Sequence, residues 1–364
     1  MRDAPYRVIV WGPGVLGSLL LREILARPEL ELVGVLAYSA AKSGVDIGTY
    51  LGSQPLGVEM TTDKERVFGL DADCVLFCPQ ATAGVDLGSQ TTADLCRLLE
   101  TGKNVVTASG YHYPVFHGHE LVDHLESACQ AGKASLHSTG INPGFMCERL
   151  ATTLSAVCSK IDTIVVQEIG LGATVESADM MSMIGWGQPP PPANEIVELA
   201  ARYYGEGITH ACAILGRTVD RIVPEVDFVL AERDYQLGTF TVPKGTMGCV
   251  THTFTAMVDG QPFFRLEEYF IADVELAPTS LTSPDHYTIT IEGAPISIRA
   301  SIDMKHSFAR DQRFPSDDHA PPAYYATAVP MIQAIPVVCA APPGLVYPTV
   351  FTRNVPRLSM LESP

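Results

Sequence analysis

Positive charge is scarce in this chain. Lys and Arg number 24 against 41 Asp and Glu, a net charge of −17. Such a balance offers no electrostatic footprint for nucleic acid or an anionic membrane face, so neither is expected as a partner. The acidic residues are spread out and read as a solvated surface. No stretch reaches 18 consecutive apolar residues, so no membrane span is expected. Met1 to Pro5 lacks a basic-then-apolar signal, and a soluble cytoplasmic protein is expected. The nine cysteines include no C-x-x-C pair. Their odd count and apolar settings fit reduced, buried thiols better than a disulfide framework. His117, His119, Glu120 and His124 tempt a metal reading, but three residues separate Glu120 from His124, and the His-Glu-x-x-His spacing fails. No metal is expected. Serine-nucleophile, Walker and kinase signatures are absent, as are internal repeats.

What is present is core. Of 364 residues, 46% are hydrophobic, enough for two domains of ordinary size. The first part alternates strand and helix. Arg7–Trp11 reads as a buried strand, 15–26 as a helix ended by Arg27-Pro28, and Leu30–Leu36 as a strand. Cys74–Cys78, Asn104–Thr107 and Ala134–His137 are further strands, with helices at Ala93–Glu100 and His119–Ala131. This repetition predicts an α/β Rossmann domain, a doubly wound parallel sheet, over residues 1–145. Beyond it Thr163–Val166 is strand-like. Cys249–Val258 and Pro262–Ala272 flank the hairpin signal Asp259-Gly260, and Tyr287–Glu292 and Ile296–Ile302 form a second pair. A second α+β domain with a mixed or antiparallel sheet is predicted over 146–318. Gln188–Pro192 and 307–322 read as loops. Residues 319–364 read as a return segment packing on both domains. Its helix Ala323–Ala340 is expected to be kinked or split by Pro330 and Pro336.

The strongest local signal is Gly12-Pro13-Gly14-Val15-Leu16-Gly17, between the first strand and the first helix. Gly12 suits a tight turn, Gly14 a close approach of backbone to pyrophosphate, and Gly17 close helix–strand packing. The helix start then offers free N–H groups and a positive dipole end to a dinucleotide. After the second strand, Ala37-Tyr38-Ser39-Ala40-Ala41-Lys42 carries no carboxylate to hold a ribose 2′-hydroxyl. Ser39 and Lys42 suit a 2′-phosphate and Tyr38 an adenine, so NADP(H) is favoured, with NAD(H) possible. The alternative is that Ser39 and Lys42 are ordinary loop residues.

The N-terminal 145 residues resemble the dinucleotide-binding domain of dihydrodipicolinate reductase. The whole chain is more similar to its longer relatives, the 2,4-diaminopentanoate dehydrogenases and native amine dehydrogenases. The matching stretches are Val10–Gly17, Leu32–Val35, Gly102–Val106, Thr139-Gly140-Ile141-Asn142-Pro143-Gly144-Phe145 and Ala334–Gly344. The resemblance implies a nicotinamide-dependent oxidoreductase, amine and imine substrates, and a homodimer. It also implies an acidic residue just after the strand Asn104–Thr107. Here that stretch is Ala108-Ser109-Gly110-Tyr111-His112-Tyr113-Pro114, without Asp or Glu. The paired histidines and following lysine of the biosynthetic reductase are also missing.

Hydride chemistry of this kind is expected beyond the carboxyl ends of the parallel strands. Cys78, Pro79 and Gln80 follow one strand and are expected near the nicotinamide ribose. Thr107 and Ala108 follow the next. Tyr111, His112 and Tyr113 are the titratable groups of that second loop, either as proton donors to a carbonyl or as a packing wall. Asn142 is read as ending a strand. Its amide would hold a substrate carbonyl or the carboxamide of the cofactor, or else simply shape the turn. Glu168 is read as a solvated strand-end charge in preference to a cleft residue. Met180–Trp186 reads as core filling or as a soft apolar pocket wall. No Arg or Lys cluster marks the second domain, which favours a small, largely neutral substrate. Three functions remain open: hydride transfer at C=N, a ketone or alcohol reductase without amine activity, and an NADP(H)-binding sensor without turnover.

Overall fold

The computed structural model describes residues 4–79, 85–172, 185–192, 194–238, 240–278, 287–304 and 320–355. Two compact units are present: Met1–Ile141 with Lys305–Tyr347, and Asn142–Met304 with Pro348–Pro364.

The first unit holds strands β1 (Tyr6–Trp11), β2 (Leu30–Leu36), β3 (Met60–Thr61), β4 (Cys74–Phe77), β5 (Asn104–Thr107) and β6 (Ser135–Ser138). They form a parallel sheet in the order β6-β5-β4-β1-β2-β3, with the late pair Gly344–Leu345 added beside β6. Chain reversal at β1 makes this a doubly wound sheet, as the strand–helix alternation predicts. Successive β1 side chains feed two cores. Val8 and Val10 join Leu76, Val106 and the apolar faces of α1 (Val15–Leu25) and the late helix Pro322–Ala340. Ile9 and Trp11 join Val75, Phe77 and helices Gln90–Glu100 and His119–Gly132. Burial on both faces is why these strands are continuous apolar runs.

The late helix runs through Pro330 and Pro336 without ending. Ala328, Met331, Ile332, Ile335 and Val338 are buried in the first-unit core, and that packing outweighs the lost N–H donors. By length and composition this helix passes as a membrane span, yet one of its faces completes the core beside α1.

The second unit is built on a mixed sheet. Its strands are β7 (Lys160–Leu171), β8 (Arg221–Leu230), β11 (Met247–Val258), β12 (Gln261–Ile271), β13 (Tyr287–Ala294) and β14 (Ile298–Ile302), with β9 (Tyr235–Leu237) and β10 (Phe240–Val242) forming a separate hairpin. The order is β14-β13-β7-β12-β11-β8, in which β7 and β12 are parallel and the other pairs antiparallel. Asp259 and Gly260 turn β11 into β12 with φ of 52° and 72°, the left-handed pair of a tight hairpin.

The helix Asn194–Ile214, which no sequence motif marks, packs on β8, β11 and β12. Gly205 and Gly207 sit inside it and lower its intrinsic propensity. The second is a packing requirement, since a Cβ on Gly207 would lie 2.1 Å from Pro143 Cγ. Gly207→Ala is therefore expected to cost about 1–3 kcal/mol, read as a lower urea midpoint with unchanged slope.

Candidate active site

The glycine turn is shaped by its neighbours. Gly12 has φ +96°, and a Cβ there would lie 2.0 Å from the Cys78 carbonyl oxygen. A Cβ on Gly17 would lie 2.1 Å from the Gly12 carbonyl oxygen. Both positions bring backbone against backbone, and no larger residue fits. Gly14 differs: an added Cβ meets nothing within 4 Å. Gly14 is the N-cap of α1 and is exposed, and among the described residues no side chain caps the first turn, which is Val15, Leu16 and Gly17. Open space in front of an uncapped helix start fits a diphosphate.

The expected adenosine residues gather at the same turn. The Tyr38 hydroxyl accepts from Trp11 Nε1 at 2.9 Å while the residue stays 46% exposed. Its ring also borders Gly12, so an anchored aromatic face stands beside the turn. Lys42 Nζ donates to the Pro13 carbonyl at 2.7 Å and to the Tyr50 hydroxyl at 2.9 Å. Ser39 is exposed at the start of the short turn Ala40–Lys42. No carboxylate lies between Tyr38 and Lys42.

Cys78 and Pro79 are buried at the end of β4, and burial pushes the Cys78 thiol up to about 12. This thiol is a packing group, not a nucleophile. Gln80 lies outside the described residues, as do Met180 to Ile184. Thr107 is fully buried. Its hydroxyl accepts from Ser109 N–H at 3.1 Å, and its carbonyl accepts from Thr139 N–H at 2.9 Å. Ala108 is half-buried beside it.

The Tyr-His-Tyr segment does three different things. Tyr111 takes a left-handed backbone (φ 62°), its hydroxyl pairs with Thr92 Oγ1 at 2.8 Å, and its ring lies in the core. That is the packing-wall role. His112 is buried, with 3% exposure. Tyr113 is half-buried with its ring edge-on to Tyr347, 5.9 Å between centroids.

Asn142 does not end a strand. β6 stops at Ser138, and Asn142 lies within the helical segment Ile141–Ala151 with extended backbone angles of its own. Its amide Nδ2 donates to Glu168 Oε2 and to Glu268 Oε1, each at 2.6 Å. Both amide protons are thus spent on carboxylates, and the Cys147 thiol approaches its Oδ1 at 3.5 Å. Glu168, read from the sequence as a solvated strand-end charge, instead lies within β7 and is half-buried. Glu268 and its pairing with Glu168 escaped the motif reading.

The register explains the pairing. Tyr287, Glu168, Glu268 and His252 stand opposite one another across β13, β7, β12 and β11, so they share one sheet face. The helix Asn194–Ile214 lends Tyr204, whose ring stacks on Phe254 at 5.3 Å between centroids and lies beside Glu268. Burial first, then the Glu168 charge, push the Glu268 carboxyl well above the ordinary carboxylate range. Burial, and then the Glu168 charge, likewise push the Tyr287 hydroxyl up.

The other face of β12 shows what a structural carboxylate looks like. Glu267 is also buried, yet it accepts from Arg265 Nη2 at 2.5 Å, Gln167 Nε2 at 2.7 Å and the Tyr269 hydroxyl at 2.9 Å. Glu268 instead has Asn142, Glu168 and the Tyr204 hydroxyl as its polar neighbours. The adjacent Glu267-Glu268 inside an apolar strand was the available signal. Alternation forces one of them onto each face.

Whole-chain comparisons bear out the resemblance stated from the motifs. The chain is 29% identical over 303 residues to an amine dehydrogenase of Streptomyces virginiae, covering 79% of this chain and 82% of that protein. It is 24% identical over 377 residues to the 2,4-diaminopentanoate dehydrogenase of Acetoanaerobium sticklandii, covering 97% and 95%. Its fold superposes on an amine dehydrogenase from Mycobacterium smegmatis with a TM-score of 0.75, at 23% identity and 96% and 98% coverage. No family model matches the chain. With the doubly wound sheet, these relatives support an NAD(P)-dependent oxidoreductase of the dehydrogenase class.

The raised Glu268 makes stability depend on pH. Its contribution is fully present below the unfolded carboxylate value, ~4.3, and is lost as pH rises through the folded value. Glu268→Gln keeps the Asn142 contact and removes the buried charge. It should raise stability by about 1–3 kcal/mol at pH 8 and by ~0 at pH 4, measured by urea unfolding at both.

Proposed function

We propose that the chain transfers hydride between NADP(H) and the carbon of a C=N or C=O group in a small, largely neutral substrate. The observation that carries this reading is the open space at Gly14 before an uncapped α1, with backbone packed tightly on both sides of it. Gly12 to Gly17 would hold the diphosphate through backbone N–H groups, and the ring of Tyr38 would support the adenine. Lys42, already at the turn through Pro13, and the exposed Ser39 support a 2′-phosphate in place of a free 2′-hydroxyl. The cofactor would supply the hydride. The protein's part is to orient the reacting carbon and to manage one proton.

The names of the two sequence relatives favour nitrogen chemistry. The loop Ala108–Pro114 holds no carboxylate, which on its own would favour a carbonyl or alcohol reductase. Following nicotinamide absorbance with NADPH and a panel of aliphatic ketones, with and without ammonium, separates the readings. Oxidation only with ammonium is the expected result. Oxidation without it identifies a ketone reductase, and cofactor binding without any oxidation identifies a sensor.

Cofactor choice has its own test. Lys42→Ala should weaken NADPH binding about tenfold while changing NADH binding less than about twofold, as measured by fluorescence titration. Equal weakening of both would remove Lys42 from 2′-phosphate recognition.

A further inference from the structure

Buried polar groups of the first unit mostly have an evident structural use. Lys103 donates to the Phe68 carbonyl at 2.7 Å and to Thr101. Asp46 caps its loop through Gly48, Thr49, Leu56 and Gly57. Two thiols of the same unit have no part in the proposed hydride chemistry, yet they meet. Cys74 opens β4 and is fully buried. Cys339 stands in the last turn of the late helix Pro322–Ala340. It is half-buried, whereas the other eight cysteines are buried. The two thiols share a hydrogen bond. Cys339 Sγ also donates to the carbonyl of Asp73, the residue before Cys74, at 3.6 Å. Both residues pack in one core within the first unit.

We propose that Cys74 and Cys339 are a redox pair that closes to a disulfide under hydrogen peroxide and clips the end of the late helix to the sheet. Cys339 attacks one peroxide oxygen, the O–O bond breaks, and Cys339 becomes a sulfenic acid as water leaves. The Cys74 sulfur then attacks the Cys339 sulfur. The S–S bond forms, and the sulfenic hydroxyl departs as water with the Cys74 proton. Two thiols are oxidised and one peroxide is reduced to two waters. Exposure makes Cys339 the sulfur that an oxidant meets. Its hydrogen bond to Cys339, and then burial, push the Cys74 thiol well above the ordinary value, so Cys74 stays protonated as the resolving partner. Contact between the sulfurs gives the second step a high effective concentration. The clip has a mechanical use. Near its start the helix places Thr327 beside Gly140 and Ala108, and near its end Cys339 reaches the amino end of β4. Between these points Pro330 and Pro336 each remove a helix N–H donor, so the helix relies on its packed face. A bond at Cys339 fastens it just beyond the second proline.

The test treats the full chain with hydrogen peroxide, counts free thiols after denaturation and maps peptides without reductant. Two of the nine thiols should be lost, in one cross-link that joins residues 74 and 339 within a single chain. Dithiothreitol should restore them. The oxidised protein should melt about 5 °C higher or more, and the rise should vanish on reduction. Cys339→Ser at the same dose should lose no thiol and gain no Tm. In Cys74→Ala the resolving sulfur is gone, and dimedone should trap a sulfenic acid at Cys339. If Cys74→Ala fails to fold, Cys339→Ser supplies the comparison. Nine surviving thiols, a cross-link at any other pair, or an unchanged or lower Tm after oxidation overturns the proposal. So does a sulfenic or sulfonic acid at Cys339 of the wild type with Cys74 left free. An unlabelled Cys339 in folded Cys74→Ala counts against it as well.

Discussion

Backbone against backbone at the end of β1 is the constraint on which the first unit depends. β1 and β4 are hydrogen-bonded neighbours, so the carbonyl of Cys78 arrives where a side chain at position 12 would stand. The chain must turn there without a Cβ, and it must begin α1 immediately, with the Gly17 backbone touching the Gly12 carbonyl. The result is a helix start that no side chain among the described residues caps. Unpaired N–H groups at a helix start are costly unless water or a ligand answers them. The same tightness that excludes side chains at Gly12 and Gly17 therefore leaves the space at Gly14 for an anion. Trp11 extends the arrangement outward by fixing Tyr38, and Pro13 does so by fixing Lys42.

In the second unit the governing fact is the strict alternation of β12. Two glutamates in a row must occupy opposite faces, and both faces of this strand are covered. On one face Arg265, Gln167 and Tyr269 neutralise and saturate Glu267. On the other the nearest polar company of Glu268 is Glu168, Asn142 and Tyr204. The first arrangement is what stability asks of a buried carboxylate. The second opposes stability, since desolvation and like charge both work against the ionised pair. It is a departure from self-consistency inside an otherwise well-packed sheet.

The Rossmann half was legible because its determinants are local. Runs such as Arg7–Trp11 and Asn104–Thr107 are apolar on both faces, and the glycine turn is contiguous in sequence. The hairpin at Asp259-Gly260 was legible for the same reason. The carboxylate pair was not, because Glu168 and Glu268 are joined only by the parallel pairing of β7 with β12, a register no motif records. Asn142 stands out in the sequence through the following Pro143-Gly144, but these suggest a strand end or turn, whereas the residue lies in a helical segment that brings its amide to the sheet. The helix Asn194–Ile214 was hidden by glycines, one of which is there because the Pro143 ring fills the space a side chain would need.

These two shortfalls share a cause. Pro143 and Gly207 interlock, which seats the helix Asn194–Ile214 against the segment that carries Asn142. That helix also carries Tyr204, stacked on Phe254 of β11. The local weakness of the helix and the position of the acidic pair are then one design: a residue too small to favour helix on its own lets the Asn142 segment approach closely. The amide of Asn142 can in turn bridge two strands. A larger residue at 207 would strengthen the isolated helix and separate the groups it is there to assemble.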